Sequence, residues 1–271
     1  MKHLAPALFL ACVASAAHAQ EAMYTQAATM PSPHTFVYKP MVHYWSYGDN
    51  PVTGETGTQV FETTHNLGYG LDRGWAAYLE IPANIELSDQ PGGGDETDAN
   101  VESLDINVKW RFTQNDTGGI NTVRAALIAG AEVNVDGDFA INPKVGGVVT
   151  IVQGRHGFNQ DLFFRLNTDG DRETNLGGEG PSDAISHSTA YVYRFWPDAF
   201  QADSRGAWYT TFEVSGLYET NGDYDLRWAP GIMFEGYRWA LEFMAQLPLY
   251  QDLEERPELE WGVGFGLRFS F

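Results

Sequence analysis

Residues 258–271 constrain the fold of this chain more than any other stretch. From Leu259 onward every second residue is large and apolar, whereas the residues between them are glycine, charged or small. A β-strand turns successive side chains to opposite faces, so the pattern predicts a strand with one apolar face. The run is longer than a usual soluble strand and suits a tilted membrane span, which takes roughly 9–11 residues.

The same alternation recurs upstream and predicts twelve strands. They are expected at 34–45, 56–67, 75–87, 101–112, 120–134, 145–153, 157–167, 185–196, 207–219, 223–235, 237–249 and 258–271. A sheet in lipid satisfies its backbone hydrogen bonds only if it closes. The sequence therefore predicts an all-β fold, a transmembrane antiparallel up-and-down β-barrel of about 12 strands. A soluble β-sandwich is the alternative that this pattern disfavours.

Composition excludes one class of partner and supports a membrane setting. The formal net charge of −20 argues against nucleic acid as a partner, because few cations remain to neutralise phosphates. Aromatic residues make up 14% of the chain, as expected if aromatic girdles lie at two membrane interfaces.

The first residues have the features of a secretory signal. An apolar run follows Lys2, and Ala17-His18-Ala19 fits a cleavage site. We expect a signal peptide at 1–19, a periplasmic lead-in at 20–33 and an outer-membrane barrel at 34–271. Cys12, the single cysteine, lies in the signal, so the mature chain is expected to have no disulfide and no thiolate metal site. Export and a barrel together predict the outer membrane of a Gram-negative cell.

Charged residues on the opposite face from the apolar side chains are expected to line the lumen, since the lipid face does not hold charge cheaply. Two readings stay open: a charged passage for solutes, or a salt-bridge network that fills a narrow lumen. We expect the arginines nearest the periplasmic end to pair with Glu80, Glu213 or Glu242. The predicted lumen-lining residues are Glu62, Glu80, Asp105, Lys109, Arg111, Arg124, Glu132, Arg165, Arg194, Glu213, Asp225, Arg227, Arg238, Glu242, Glu258, Glu260 and Arg268.

Signals for catalysis or cofactors are weak. A lipid hydrolase would need a serine beside a histidine, yet His187 is predicted to point outward and its sequence neighbours Ser186 and Ser188 inward. His34, His43 and Met41 are copper-binding residue types, but their spacing is not diagnostic. The sequence predicts no enzyme, no cofactor and no metal site.

Several segments resemble one family of outer-membrane proteins. NLGYGLDRGWAAYLEIP at 66–82, SLDINVKWRF at 103–112, AALIAGAEVNVDGD at 125–138 and GFNQDLFFRLN at 157–167 are similar to the meta-pathway phenol-degradation family of putative transporters. The chain departs from that family in the NVDGD turn, where Pro-Thr-Gly-Asp is more usual. The resemblance implies an outer-membrane channel or transporter for small solutes, hydrophobic or aromatic ones among them.

The expected partners follow from these readings. They are outer-membrane lipids and lipopolysaccharide around the barrel, a small-molecule solute in the lumen, and the barrel-assembly machinery. The terminal Phe271 resembles the last residue by which outer-membrane barrels are handed to that machinery.

Overall fold

A computed structural model describes residues 21–89, 95–101, 103–118, 120–135, 139–168, 182–201 and 204–271. The predicted signal peptide lies outside the described residues, as does most of the acidic segment 169–183. None of the described residues forms a helix long and apolar enough to cross a membrane.

The described chain is built from thirteen strands. They are β1 (Phe36–Tyr47), β2 (Thr56–Gly70), β3 (Trp75–Asp89), β4 (Asp95–Asn100), β5 (Ser103–Thr117), β6 (Asn121–Asn134), β7 (Ile141–Gln153), β8 (His156–Arg165), β9 (Ala184–Trp196), β10 (Gly206–Glu219), β11 (Tyr224–Gly236), β12 (Trp239–Asp252) and β13 (Leu259–Ser270).

The strands form a closed antiparallel barrel. Consecutive strands pair with each other except β4 and β5, which both pair with β3, and β1 closes the ring by pairing with β13. β4 and β5 together act as one wall strand, because β4 pairs with the second half of β3 and β5 with the first half. The wall therefore has twelve strands, which confirms the predicted fold class.

The two faces of the wall differ in chemistry. In β5, Ile106, Val108 and Trp110 are 39–50% exposed on the outer face. Between them, Asn107 and Lys109 are buried at 8% and 2% exposure on the inner face. An outer apolar face in lipid and an inner polar face explain why a period of two recurs along the chain.

The barrel has two distinct ends. At one end, called the turn end, consecutive strands are joined by connections such as 71–74, 154–155 and 237–238, and the chain enters and leaves the wall. At the other, called the loop end, the connections include 48–55, 166–183 and 253–258. Short turns at one end and longer loops at the other are typical of outer-membrane barrels.

Strand bounds differ from the predicted ones where polar residues stay in the wall. β5 continues through Gln114 and Asp116 to Thr117, which were predicted as a turn. These residues still pair with β6, and Asp116 bonds Arg124 and Thr122 there. β4 likewise lies in a stretch predicted as a loop. Polar strand ends that project beyond lipid need no apolar face, so hydrophobic alternation does not reveal them.

The alternation of the last strand breaks at its first residues. Leu259 was expected on the outer face, but it is buried at 2% exposure and packs with Tyr47 and Val60. The register shifts at this point, where Tyr47 faces Leu259 and Ser46 faces Trp261. The extra residue, Glu260, forms a bulge, and a bulge reverses the faces of the residues before it.

Candidate functional site

The lumen contains the N-terminal segment 21–33, which we call the plug. Its residues Ala22, Met23, Thr25, Ala27 and Ala28 are 0–5% exposed. The segment was expected as a lead-in outside the barrel, and the structure places it inside instead. From Glu21 it crosses the lumen and returns to the turn end, where its end meets β2 and continues into β1.

Glu213, in the middle of β10, is the main anchor of the plug. Its carboxylate accepts hydrogen bonds from the backbone N–H groups of Met23 at 3.1 Å, Tyr24 at 3.1 Å and Thr25 at 2.6 Å. The Thr25 hydroxyl donates a further bond at 2.7 Å. Glu213 is 1% exposed, so its charge is compensated by these donors rather than by water.

Strands β8 and β7, which lie two and three places from β10 in the wall, hold the next residues of the plug. Gln26 donates its backbone N–H to the Asp161 carboxylate of β8 at 2.6 Å. Ala28 donates its N–H to the Thr150 hydroxyl of β7 at 2.8 Å, and Thr150 in turn donates to Asn159 at 2.7 Å. The plug is therefore fastened along one side of the wall, from β10 to β7.

Two lysines bind the carbonyl side of the plug. Lys39 Nζ donates to the Met23 carbonyl at 3.1 Å, and Lys109 Nζ donates to the Ala27 carbonyl at 2.9 Å. Lys109 also lies 4.7 Å from the ring centroid of Tyr78. Within the described chain, the plug does not pair with a strand inside the lumen. Its backbone N–H groups instead donate to wall carboxylates, and its carbonyls accept hydrogen bonds from the two lysine ammonium groups.

A row of glycines on β13 makes room for the plug. Gly264 and Gly266 face inward, between Met41 and His43 of β1 on one side and β12 on the other. A Cβ atom on Gly264 would lie 2.9 Å from Met23 Sδ and 3.0 Å from the Tyr24 hydroxyl oxygen. Any larger side chain at this position would displace the plug or its neighbours.

A cavity of about 610 Å³ remains between the plug and the wall. Its lining combines aromatic rings with charged groups from both the plug and the strands. Tyr24 stacks on His43 at a centroid distance of 5.4 Å, and His43 stacks on Trp45 at 4.9 Å. Lys144 and Phe163 line it from β7 and β8. This size and mixture fit a small solute.

The predicted arginines of the turn-end half lie at several depths. Arg268 is buried and pairs with Glu235 at 2.9 Å and with Glu21 at 3.1 Å. Arg124 is buried and pairs with Asp116 at 3.2 Å, and Arg194 is buried with its guanidinium 4.2 Å from the Phe200 ring centroid. Arg111 is half-buried and donates a hydrogen bond to the Arg73 carbonyl at 2.5 Å. Arg238 is exposed in the turn before β12.

The pairing predicted for these arginines is wrong. Glu213 binds the plug amides, and Glu80 accepts a hydrogen bond from Asn66 at 2.7 Å. Glu242 is 4% exposed, and its Oε1 has no hydrogen-bond partner among the described residues. The partners of Arg268 are instead Glu235 and a plug residue. The sequence pattern places several inward carboxylates near each arginine. Only the folded lumen decides which carboxylate each arginine pairs with.

The remaining predicted lumen residues form local pairs or lie at the loop end. Glu62 contacts His43 and Thr64 near the plug. In the loop-end half, Asp105 pairs with Lys144, Glu132 with Arg165 at 3.1 Å, and Asp225 with Arg227 at 2.5 Å. Glu258 and Glu260 are exposed. Glu260 accepts a hydrogen bond from Ser46 at 2.9 Å on the outer face of the barrel, the face that carries Val42 and Tyr44, and not in the lumen.

Sequence reasoning missed the residues that receive the plug. Lys39, His43, Thr150 and Asp161 lie on inward positions of predicted strands, but nothing in the pattern marks them as contacts of the plug. Asp161, for example, is 135 residues away from Gln26. The usable signal was the glycine row of the last strand. Three inward glycines in succession leave a trough that some other part of the chain can fill.

His187 and the adjacent Ser188 lie on opposite faces of β9. His187 lies half-buried on β9, with Nε2 3.4 Å from the Tyr224 hydroxyl oxygen. Ser188 is on the opposite, inward face, close to Asp161. In the part of the chain that the structure describes, no group of three or more His, Cys, Asp or Glu side chains is arranged to hold a metal ion.

The chain matches no protein-family model and no curated protein sequence. Its fold is similar to that of the COG4313 outer membrane channel from Pseudomonas putida F1, with a TM-score of 0.58 and 9% identity over 93% of this chain and 100% of that one. It is also similar to the NanC porin, with a TM-score of 0.53 and 9% identity over 86% of this chain and 98% of that one. At such low identity the likeness establishes a shared outer-membrane barrel fold.

Proposed function

We propose that this protein is a channel for small solutes in the outer membrane of a Gram-negative cell. The observation that carries the proposal is a closed barrel whose polar lumen keeps a cavity of about 610 Å³ beside the plug. The two structurally similar proteins are a channel and a porin, which supports the same function. The plug sets the resting permeability, because it lies in the lumen and is hydrogen-bonded to β10, β7, β1 and β5.

The solutes that fit best are small hydrophobic or aromatic molecules. The cavity offers the rings of Tyr24, His43, Trp45 and Phe163, on which a flat solute can stack. The resemblance to the phenol-degradation family of transporters supports the same class. Glu62 and Lys144 at the same cavity supply polar groups that would orient a phenolic hydroxyl.

Planar-bilayer recording of the purified chain tests the channel function. The mature wild-type protein should give small or infrequent conductance steps, and a variant lacking 21–30 should give larger and steadier ones. Flux of a phenol into liposomes should rise in the same order. Absence of both conductance and flux from the two proteins would contradict the proposal.

The plug itself favours one competing function, a structural barrel with a blocked lumen. Its fastening to Glu213, Asp161 and Thr150 would suit permanent closure. Under that function the wild-type chain conducts nothing, and only the variant lacking 21–30 conducts. The bilayer experiment therefore separates the two functions through the wild-type recording alone.

Location and partners are part of the proposal. An exposed apolar outer wall calls for lipid, and a carboxylate-rich loop end can hold divalent cations that bridge to lipopolysaccharide phosphates. Phe271 is 64% exposed at the turn end, where the barrel-assembly machinery could reach it. Deleting Phe271 should lower the amount of folded, heat-modifiable protein in the outer-membrane fraction. Unchanged assembly would remove that partner.

A further inference from the structure

Two polar atoms in the lining of the solute cavity lack a hydrogen-bond partner within the described part of the chain. His43 is 3% exposed, and its Nε2 has no hydrogen-bond partner among the described residues. The hydroxyl oxygen of Tyr24 is buried in the same way, again within the described part of the chain. Buried polar groups are nearly always partnered, so two such atoms side by side indicate a place that can bind a ligand.

Met23 brings a sulfur atom to the same place. His43 faces Gly264 across the β1–β13 pairing. A Cβ atom on Gly264 would lie 2.9 Å from Met23 Sδ and 2.9 Å from Cδ2 of His43. Cδ2 is bonded to Nε2 in the imidazole ring, so the unpartnered nitrogen and the sulfur border one small space.

Two more methionines, Met41 and Met244, lie next to this space. Met41 precedes His43 on the inner face of β1, and Met244 faces Gly264 from β12. Met23 and Met244 belong to one buried cluster, and Met41 and Tyr24 pack against it. Thioether sulfur is a soft ligand that prefers Cu(I) and similar ions, and imidazole also binds copper.

The other side of the imidazole is already oriented. His43 Nδ1 lies 3.3 Å from the Glu62 carboxylate, and the Trp45 ring stacks on the imidazole at 4.9 Å. In the tautomer whose proton is on Nδ1, the Nδ1–H group donates a hydrogen bond to the Glu62 carboxylate, and Nε2 keeps a free lone pair. A carboxylate behind the imidazole is the arrangement that metal-binding histidines use in known sites.

We propose that Met23, His43, Met41 and Met244 form a binding site for a soft monovalent cation, Cu(I) or Ag(I). His43 supplies Nε2 and the methionines supply thioether sulfur, with Glu62 fixing the ring. Met23 belongs to the plug and the other ligands to the wall, so a bound ion ties the plug to β1 and β12. Met23, Met41 and His43 also line the solute cavity, but the ion site does not depend on which solute the channel carries.

Silver titration of the purified, folded chain tests the site, with Ag⁺ itself as the probe. Native mass spectrometry and calorimetry should find one tightly held Ag⁺ per barrel. Met23→Leu and His43→Gln should each abolish that tight binding, and Glu62→Gln should weaken it by about 10–100-fold, as expected for a residue that orients a ligand. Added Zn²⁺ should not compete, since thioethers are poor ligands for it.

Met233→Leu is the matched control. Met233 is buried in the lumen but packs in a different cluster, with Ala22 and Tyr209. This variant should bind Ag⁺ like the wild type. Heat-modifiable gel migration verifies that every variant is folded. If a ligand variant does not fold, Met41→Leu is tested in its place. Absence of tight Ag⁺ binding by the wild type, or equal binding by Met23→Leu and Met233→Leu, would overturn the site.

A second readout reports on the plug. Ag⁺ should protect the plug of the wild-type barrel from protease added at the turn end, and it should give no protection to His43→Gln. If Ag⁺ binds but leaves the protection unchanged, the ion sits elsewhere and the proposed ligand set is wrong.

Discussion

Glu213 is the side chain on which the position of the plug depends most. Hydrogen bonds to a charged group are worth about 1.5–3 kcal/mol each, and an amide in its place would present an NH₂ group to backbone N–H donors. We expect Glu213→Gln to shift the plug equilibrium by about 1–3 kcal/mol, roughly a 5- to 150-fold rise in the displaced form. Single-channel open probability measures this shift.

Glu132→Gln is the control for that variant. Glu132 is also an inward carboxylate, but within the described part of the chain it pairs with Arg165 rather than with the plug. Its open probability should stay close to that of the wild type. Equal effects of the two substitutions would mean that loss of lumen charge, rather than loss of the plug anchor, opens the channel.

Gly264 allows a second prediction at the scale of one residue. A β-branched side chain there would occupy the space of Met23 Sδ and the Tyr24 hydroxyl. We expect Gly264→Val to displace the plug and raise the conductance while the barrel stays folded. Gly147→Ala is the control, because a Cβ at Gly147 meets no atom closer than 3.8 Å. A wild-type conductance for Gly264→Val would argue against a tight fit of Met23.

At the scale of elements, a buried ion cluster holds the connection between β12 and β13. Arg256 in that connection lies 3.2 Å from Glu219 of β10 and 3.8 Å from Asp223 before β11, and all three are at most 7% exposed. Removing the cation leaves the buried carboxylates of Glu219 and Asp223 without their arginine partner. We expect Arg256→Met to destabilise the barrel by about 3–5 kcal/mol, measured by the temperature of the heat-modifiable transition.

Arg155→Met is the matched comparison for the loop-end cluster. The partner of Arg155, Asp198, is 87% exposed on its side chain, so their pair is worth at most about 1 kcal/mol. The transition temperature should therefore fall much less than in Arg256→Met. Similar transition temperatures would show that burial of the Arg256 cluster contributes little.

At the scale of the whole molecule, the net charge of −20 should make an open lumen prefer cations. We expect the variant lacking 21–30 to show a cation-selective reversal potential at low salt. The preference should weaken as salt rises, because the Debye length shortens to about 10 Å at 0.1 M. Anion preference at low salt would show that lumen cations such as Lys39 and Lys109, freed from the plug, dominate the field.

The amino-acid sequence by itself determined the wall of this protein. Apolar and polar residues alternate with a period of two in strands of the length that lipid requires, and this pattern predicts the closed twelve-strand barrel. The assignment failed where lipid does not act on the side chains, in the polar end of β5, in β4 and at the bulge beside Glu260. Hydrophobic alternation identifies only the positions that a membrane selects.

Only the tertiary structure decided what fills the lumen. Glu213 is bonded to Thr25, 188 positions away in the sequence, and Arg268 to Glu21. The plug is short, polar and rich in alanine, so it carries no periodicity of its own. A charged side chain that points into the lumen has many possible partners at similar distances on the surrounding strands. Which partner it takes depends on the backbone N–H groups and carbonyls of the plug that lie between them. The pattern of one strand carries no information about a segment that crosses the lumen in front of it.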